Sequence, residues 1–215
     1  MDHPTGQRER GLAEEVLAAG SRVYESQGLF ESKLAAMALE QKDPTLAAHH
    51  AKEAVRRQPD CVEFLLGLAV IETMRLKLDE ARLAAERALK LDPRSWRANH
   101  QLGVIFEAAK LKEKACSFYR TACELAPGQW EPRNNLAVLL LEAKTPAAAK
   151  EAKALLEDAV KSGAPHATPH LNLALALLQT GQRAKAKEVA TRATCLGVRG
   201  NRVALQAAEL AAALP

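Results

Sequence analysis

Aromatic side chains are scarce, with two tryptophans, two tyrosines and four phenylalanines in 215 residues. β-Branched residues are also few, whereas Ala, Leu, Glu and Lys abound, which argues against sheet and for helix nearly everywhere. No apolar run of about 18 residues occurs, which excludes a membrane-spanning helix. The first fifteen residues (MDHPTGQRERGLAEE) are charged throughout and do not read as a secretory leader. Glycine and proline, 11 and 10 in number, are too few for a collagen-like or Pro/Gly-rich disordered chain. Cysteine is limited to four positions. Cys61 and Cys195 stand alone. Cys116 and Cys123, seven apart, would lie about 10.5 Å from each other along a helix, beyond the roughly 7 Å a disulfide spans. Four reduced thiols and a cytoplasmic location are therefore expected.

Charge of one sign is lacking too. The net charge of +4 is too small to mark a nucleic-acid binder, and no nucleic-acid partner is expected. Residues 183–202 alone carry six basic side chains against Glu188, a segment suited to solvated helix faces or to an anionic partner. Catalytic signatures are absent: no phosphate loop, no HExxH, no nucleophile elbow and no Cys/His set at metal-ligand spacing. No enzymatic activity, cofactor or metal is expected. His49 and His50 read as one packed and one exposed, and His166 and His170 are separated by a helix start at Thr168-Pro169.

What the chain does contain is a period. Leucines recur at Leu34, Leu68, Leu102, Leu136 and Leu173, in steps of 34, 34, 34 and 37. Each is followed by a small residue: Ala35, Ala69, Gly103, Ala137, Ala174. A second column runs Ala47, Ala81, Ala115, Ala152, Ala186, and a third Ala54, Ala88, Ala122, Ala159, Ala193. Between those two lie Ala51, Ala85, Tyr119, Leu156 and Ala190. The extra three residues of the fourth unit fall between Leu136 and Ala152, around Lys144-Thr145-Pro146, where a helix–helix turn can absorb them. Within a unit the apolar spacing is helical, as in Leu102, Ile105, Phe106 and Ala109 and then Ala115, Phe118, Tyr119 and Ala122. Asp43-Pro44, Thr145-Pro146 and Thr168-Pro169 each read as a polar N-cap followed by proline in the first turn. A helix pair this short cannot bury its apolar face alone, so neighbouring pairs must stack.

At these residues the sequence resembles the tetratricopeptide repeat (TPR) family. Residues 96–129 match best, through Leu102-Gly103, Phe106, Ala115, Tyr119, Ala122 and Pro127. The family's tryptophan, three before the leucine, is replaced by Glu31, Leu65, Asn99, Arg133 and His170. Its aromatic residue, four after the leucine, survives only as Phe106, with Ala38, Glu72, Leu140 and Leu177 elsewhere. The resemblance implies an all-α, right-handed α–α solenoid of five helix–turn–helix units over 28–61, 62–95, 96–129, 130–166 and 167–200. Residues 1–27 hold a capping helix and 201–215 a C-terminal one. The latter has a seam of Val203, Gln206, Ala207, Leu210, Ala211 and Leu214, and a far side of Ala204, Leu205, Ala208 and Ala212.

In the family, one face of each first helix lines a concave groove. Here that face carries Gln101, Asn135 and Asn172, immediately before the leucines, and Val104, Val138 and Leu175, three residues further on. His100, Asn134 and Arg97 lie beside them. A carboxamide donates and accepts, so it can pair with one peptide unit of an extended chain. It can equally bridge neighbouring helices. A two-carboxylate clamp for acidic termini is disfavoured, because Ser32 and Ala36, or Leu66 and Val70, stand where that clamp wants Lys and Asn. Phe106, Phe118 and Tyr119 are expected to build the middle core, while Trp96 and Trp130 suit core or groove edge. The expected function is a protein-binding scaffold or adaptor that holds an extended peptide segment and does not insert into membrane. The alternative is an assembly subunit that self-associates through its terminal helices.

Overall fold

The computed structural model describes residues 16, 27–162, 166–196 and 202–214, and every regular element among them is an α-helix. The helices are α1 (Gln27–Glu40), α2 (Pro44–Arg57), α3 (Val62–Met74), α4 (Leu78–Leu91), α5 (Trp96–Ala108), α6 (Lys112–Leu125), α7 (Glu131–Glu142), α8 (Pro146–Lys161), α9 (Ala167–Gln179), α10 (Arg183–Leu196) and α11 (Arg202–Ala213). The expected capping helix near residues 11–26 lies outside the described residues, save Val16. The chain forms two compact units, one ending at Leu111 and the other beginning at Lys112. In the first, α1 packs on α2 and α3, and α3 on α4 and α5. In the second, α7 packs on α8 and α9, and α9 on α10 and α11. Contact with both the next helix and the next but one is the packing of an α-solenoid, and the fold is of that class.

The alanine columns form its seams. Ala47, Ala81, Ala115, Ala152 and Ala186 are fully buried, as are Ala88, Ala122, Ala159 and Ala193 one column on. A methyl group is what fits where helix axes approach to about 8–10 Å. The second helices α2, α4, α6 and α8 are amphipathic, with a buried alanine stripe and a charged outer side. The first helices α3 and α9 bury residues on more than one side, because each meets both its own partner and a neighbouring first helix. Tyr119 is fully buried, whereas Phe106 and Phe118 are half-buried, so of the three expected core aromatics one lies deep.

Each intra-unit turn is closed the same way. Lys42, Leu76, Lys110, Lys144 and Gly181 adopt positive φ, between 53° and 77°, at the repeat period. After four of them the next amide donates back to the last helical turn: Asp43 N to Ala38 O, Lys77 N to Glu72 O, Leu111 N to Phe106 O and Gln182 N to Leu177 O, at 2.8–2.9 Å. This is the Schellman closure, which favours glycine, yet only Gly181 is one. Leu76 is the costliest occupant, being branched and 76% exposed, with no burial to offset its backbone conformation. Leu76→Gly is expected to raise stability by about 0.5–1 kcal/mol in urea unfolding, the relief of left-handed strain exceeding the added freedom of the unfolded chain. A fall in stability would show that Leu76 packs in a way its exposure denies.

Two expectations need correction. The extra three residues of the fourth unit do not enlarge the turn, because Lys144 still follows Lys110 at the ordinary spacing. They extend α8 at its start, giving 16 residues against 14 in α2, α4 and α6, with Thr145 Oγ1 accepting from Ala148 N as the cap. A proline at the first helical position removes one of the unpaired donors at that helix start. The helix predicted to start at Thr168-Pro169 starts instead after His166, and Pro169 lies inside its first turn, where its missing N–H is still tolerated. Asp43 caps α2 as expected, its Oδ1 accepting from Thr45 N and Leu46 N.

At the far end, α11 lies on α10 and α9. Ala207 is buried and Leu210 and Leu214 pack against the neighbouring cores, while Gln206, placed on the seam by the sequence, is exposed. Leu205 on the other side is also exposed. The described helices include none long and apolar enough to cross a membrane.

Candidate functional site

The carboxamides expected to face a ligand are tied into the helix stack. In the first unit Gln101 of α5 is buried and its Nε2 donates to Thr73 Oγ1 of α3 at 3.0 Å. Thr73 Oγ1 in turn donates to Ala69 O at 2.6 Å. Val104 is half-buried, and Arg97 sits over the Trp96 ring, 5.4 Å from its centroid, with His100 tilted against that ring at 6.3 Å. In the second unit Asn172 of α9 donates from Nδ2 to Asn134 Oδ1 of α7 at 2.8 Å, and Asn134 Nδ2 donates to Asn135 Oδ1 at 3.3 Å. The structure thus brings Asn134, Asn135 and Asn172 together as a short amide ladder. A carboxamide has two N–H donors and a carbonyl oxygen, so one bridging bond does not exhaust it.

The apolar column behaves differently. Val104 and Val138 are half-buried, while Val70 and Leu175 are 41% and 39% exposed. Ala36, at the same place in α1, is exposed as well. One apolar side chain per unit therefore stands on the first-helix face incompletely covered by the protein itself.

The residues that replace the family's tryptophan are satisfied locally. Asn99 Nδ2 donates to Ser95 O at 2.9 Å, Arg133 Nη1 to Gln129 O at 2.8 Å, and His170 Nδ1 to His166 O at 3.1 Å. All three reach the carbonyl four residues back, at the mouth of their helix. Burial holds the His170 imidazole below its ordinary pKa, which favours the neutral ring. His166 lies against Trp130, with ring centroids 5.0 Å apart and the planes tilted by 35°. Among the described residues no three His, Cys, Asp or Glu side chains gather as a metal site. Glu31 takes the remaining polar place, with His50 Nδ1 at 2.8 Å and Arg57 Nη2 at 3.4 Å. Arg57 also reaches Glu53, whose carboxyl is held down to about 2, chiefly by its hydrogen bond from Arg56.

Glu72 is the feature that sequence reasoning underrated. It replaces an aromatic residue, yet it is fully buried. Arg75 Nη1 donates to its Oε2 at 2.7 Å and Lys52 Nζ lies 2.9 Å from its Oε1. Lys52 also donates to Glu80 at 2.6 Å, so one network joins α2, α3 and α4. The hydrogen bond to Glu80 and then the close Glu72 carboxylate hold the Lys52 ammonium above its ordinary pKa, and the Lys52 hydrogen bond lowers that of Glu80. The available signal was a basic residue at Lys52 in the preceding helix, but its pairing is visible only once helices are stacked.

A family model described as tetratricopeptide repeat matches residues 33–81 and 75–129. No protein of curated function matches the sequence. Several solved structures share the fold. Yeast Tom70 superposes over 86% of this chain at 21% identity with a TM-score of 0.75, and the chain spans 39% of that Tom70 chain. A thermophilic TPR protein from Thermus thermophilus superposes over 85% of this chain and 98% of its own at 15% identity and a TM-score of 0.71. YrrB, described as a TPR protein with an unusual peptide-binding site, aligns over 91% of this chain and 99% of its own at 16% identity and a TM-score of 0.57.

Proposed function

We propose that this chain, which matches the tetratricopeptide-repeat family over residues 33–129 and has that fold, is a non-enzymatic adaptor holding an extended segment of a partner protein against its first helices. The observation that carries this reading is the apolar column. Val70 and Leu175 remain exposed, and Val104 and Val138 half-exposed, at one place per repeat that the described residues cover only in part. Gln101 borders Val104 on α5, and in the other unit Asn135 and Asn172 border Val138 and Leu175, so in each unit a bound main chain meets a carboxamide beside an apolar floor. His100, Asn134 and Arg97 set the polar edge. The partner segment is accordingly apolar and uncharged over the residues it buries, rather than an acidic terminus. The description of YrrB as peptide-binding supports the same kind of use.

Because Asn172 and Gln101 already bridge helices, alanine there also removes a structural hydrogen bond worth about 0.5–1.5 kcal/mol. The exposed apolar residues give the cleaner test. Val70→Arg and Leu175→Arg are each expected to leave stability within about 0.5 kcal/mol of wild type, as exposed sites do. Each is expected to weaken partner capture about tenfold or more, read by quantitative mass spectrometry of pull-downs from the source cells. Capture by both variants at the wild-type level eliminates the groove reading.

A further inference from the structure

The first unit contains a gap in the pattern just described. Gly67 stands one period before Gln101, and Leu39 one period before Thr73, so the bridge that joins α5 to α3 has no counterpart between α3 and α1. In its place lies a cavity of about 230 Å³, walled by Ser32, Ala36 and Leu39 of α1 and by Gly67, Leu68 and Val70 of α3. Leu68 is the one member of the leucine column left half-buried, because it lines this space. The lining carries no charged side chain, and Ser32 is its one polar member.

Gly67 has no reason among the described residues to be glycine. It is helical, and a Cβ built on it would meet nothing within 4 Å. Gly28 differs, since a Cβ there would strike Phe64 Cε2 at 2.6 Å. Glycine inside a helix is unfavourable, and here neither packing nor backbone conformation requires it. What its missing side chain leaves is open space beside exposed Ala36 and Val70.

We propose that this gap is a socket for one large uncharged apolar side chain, of leucine or phenylalanine size, presented by a bound polypeptide. Size and chemistry select that occupant. Apolar cavities of about 150 Å³ already accept benzene, and an ammonium or carboxylate would enter with no partner to meet it. Exposed Val70 and Met74, one helical turn apart on α3, continue the apolar surface from the mouth of the socket, so residues flanking the anchor find cover too. The inference rests on the adaptor reading only in supposing that the anchor belongs to a polypeptide.

The test needs no partner. The full chain, carrying ¹³C-labelled Leu, Val and Ile methyl groups, is titrated with N-acetyl-phenylalaninamide, N-acetyl-leucinamide and N-acetyl-lysinamide. The first two are expected to shift the methyls of Leu39, Leu68, Val70 and Ile71 saturably, and the lysine compound is not. Gly67→Gln restores the carboxamide of the later units and is expected to weaken binding about tenfold, whereas Gly67→Ala keeps it within about threefold. Ala36→Leu closes the same socket from α1 and serves if the glutamine variant fails to fold. No saturable shift, equal response to the lysine compound, or undiminished binding by both closing variants overturns the socket. So do methyl shifts that grow with protein concentration alone, which assign the gap to a second copy, and binding that appears only after residues 1–26 are removed. Failure here leaves the pull-down result on Leu175 untouched, and failure there leaves this titration standing, so the two readings fail separately.

Discussion

Replacing Lys52 and Arg75 together by methionine is expected to destabilise the chain by roughly 3–5 kcal/mol, the usual cost of leaving a buried charge without its partners. Glu72 has no solvent exposure, so water cannot take over from the two cations 2.9 and 2.7 Å away. Loss of the Lys52–Glu80 pair adds little by contrast, because both side chains are about half exposed. The decisive arm is the rescue. Adding Glu72→Leu removes the stranded charge from a place the family fills with an apolar ring, and is expected to recover most of the loss, as buried ion pairs often yield to apolar packing without penalty. Urea unfolding of wild type, the double variant and the triple variant reads all three. A double variant within about 1 kcal/mol of wild type, or a triple variant as weak as the double, would show that the network does not hold α2, α3 and α4 together.

The same residue shows where reading from sequence stops. The columns of leucine and alanine were legible because each repeats a local geometric need, a small residue where two helices nearly touch, and repetition makes a weak preference visible. Glu72 appeared only as a departure from that pattern, because its partner Lys52 is twenty residues away on another helix and the pairing exists only in the stack. The Schellman turns were hidden for a related reason. Four of the five left-handed positions carry Lys or Leu, so the glycine that normally advertises such a turn is missing and the shared conformation is enforced by the packed helices on either side. Gln101 and Asn172 lie on α5 and α9, each immediately before a leucine of the column. Spacing along one helix fixes a face, however, not which neighbour that face meets, and these amides meet Thr73 and Asn134. Gly67 was invisible as a site because an absent side chain leaves no periodic signal, and its meaning emerges only against the carboxamides one and two periods later.

Tyr119→Ala is expected to cost about 3–5 kcal/mol, comparable with the network loss but arising from a cavity rather than a charge. The column to which Tyr119 belongs reads Ala51, Ala85, Tyr119, Leu156 and Ala190, and every member is buried at 4% exposure or less. A place that accepts a methyl in one repeat and a phenol ring in another has no intrinsic size. Truncating Tyr119 therefore leaves a ring-sized hole. Its neighbours one turn away on α6, Ala115 and Ala122, bring only methyl groups and cannot fill that hole. Leu156→Ala in α8 is expected to cost less, about 2–4 kcal/mol, because less volume is lost. The converse change, Ala85→Tyr, is expected to cost about 1–3 kcal/mol by overpacking a pair built for a methyl. Urea unfolding ranks the three, and hydrogen exchange locates the first: amides of α6 and α7 should lose protection before those of α9 and α10, since α6 packs directly on α7. A loss below about 1 kcal/mol at Tyr119 would mean that the surrounding side chains collapse freely onto the gap, and the cavity cost assigned to the ring would have to be abandoned.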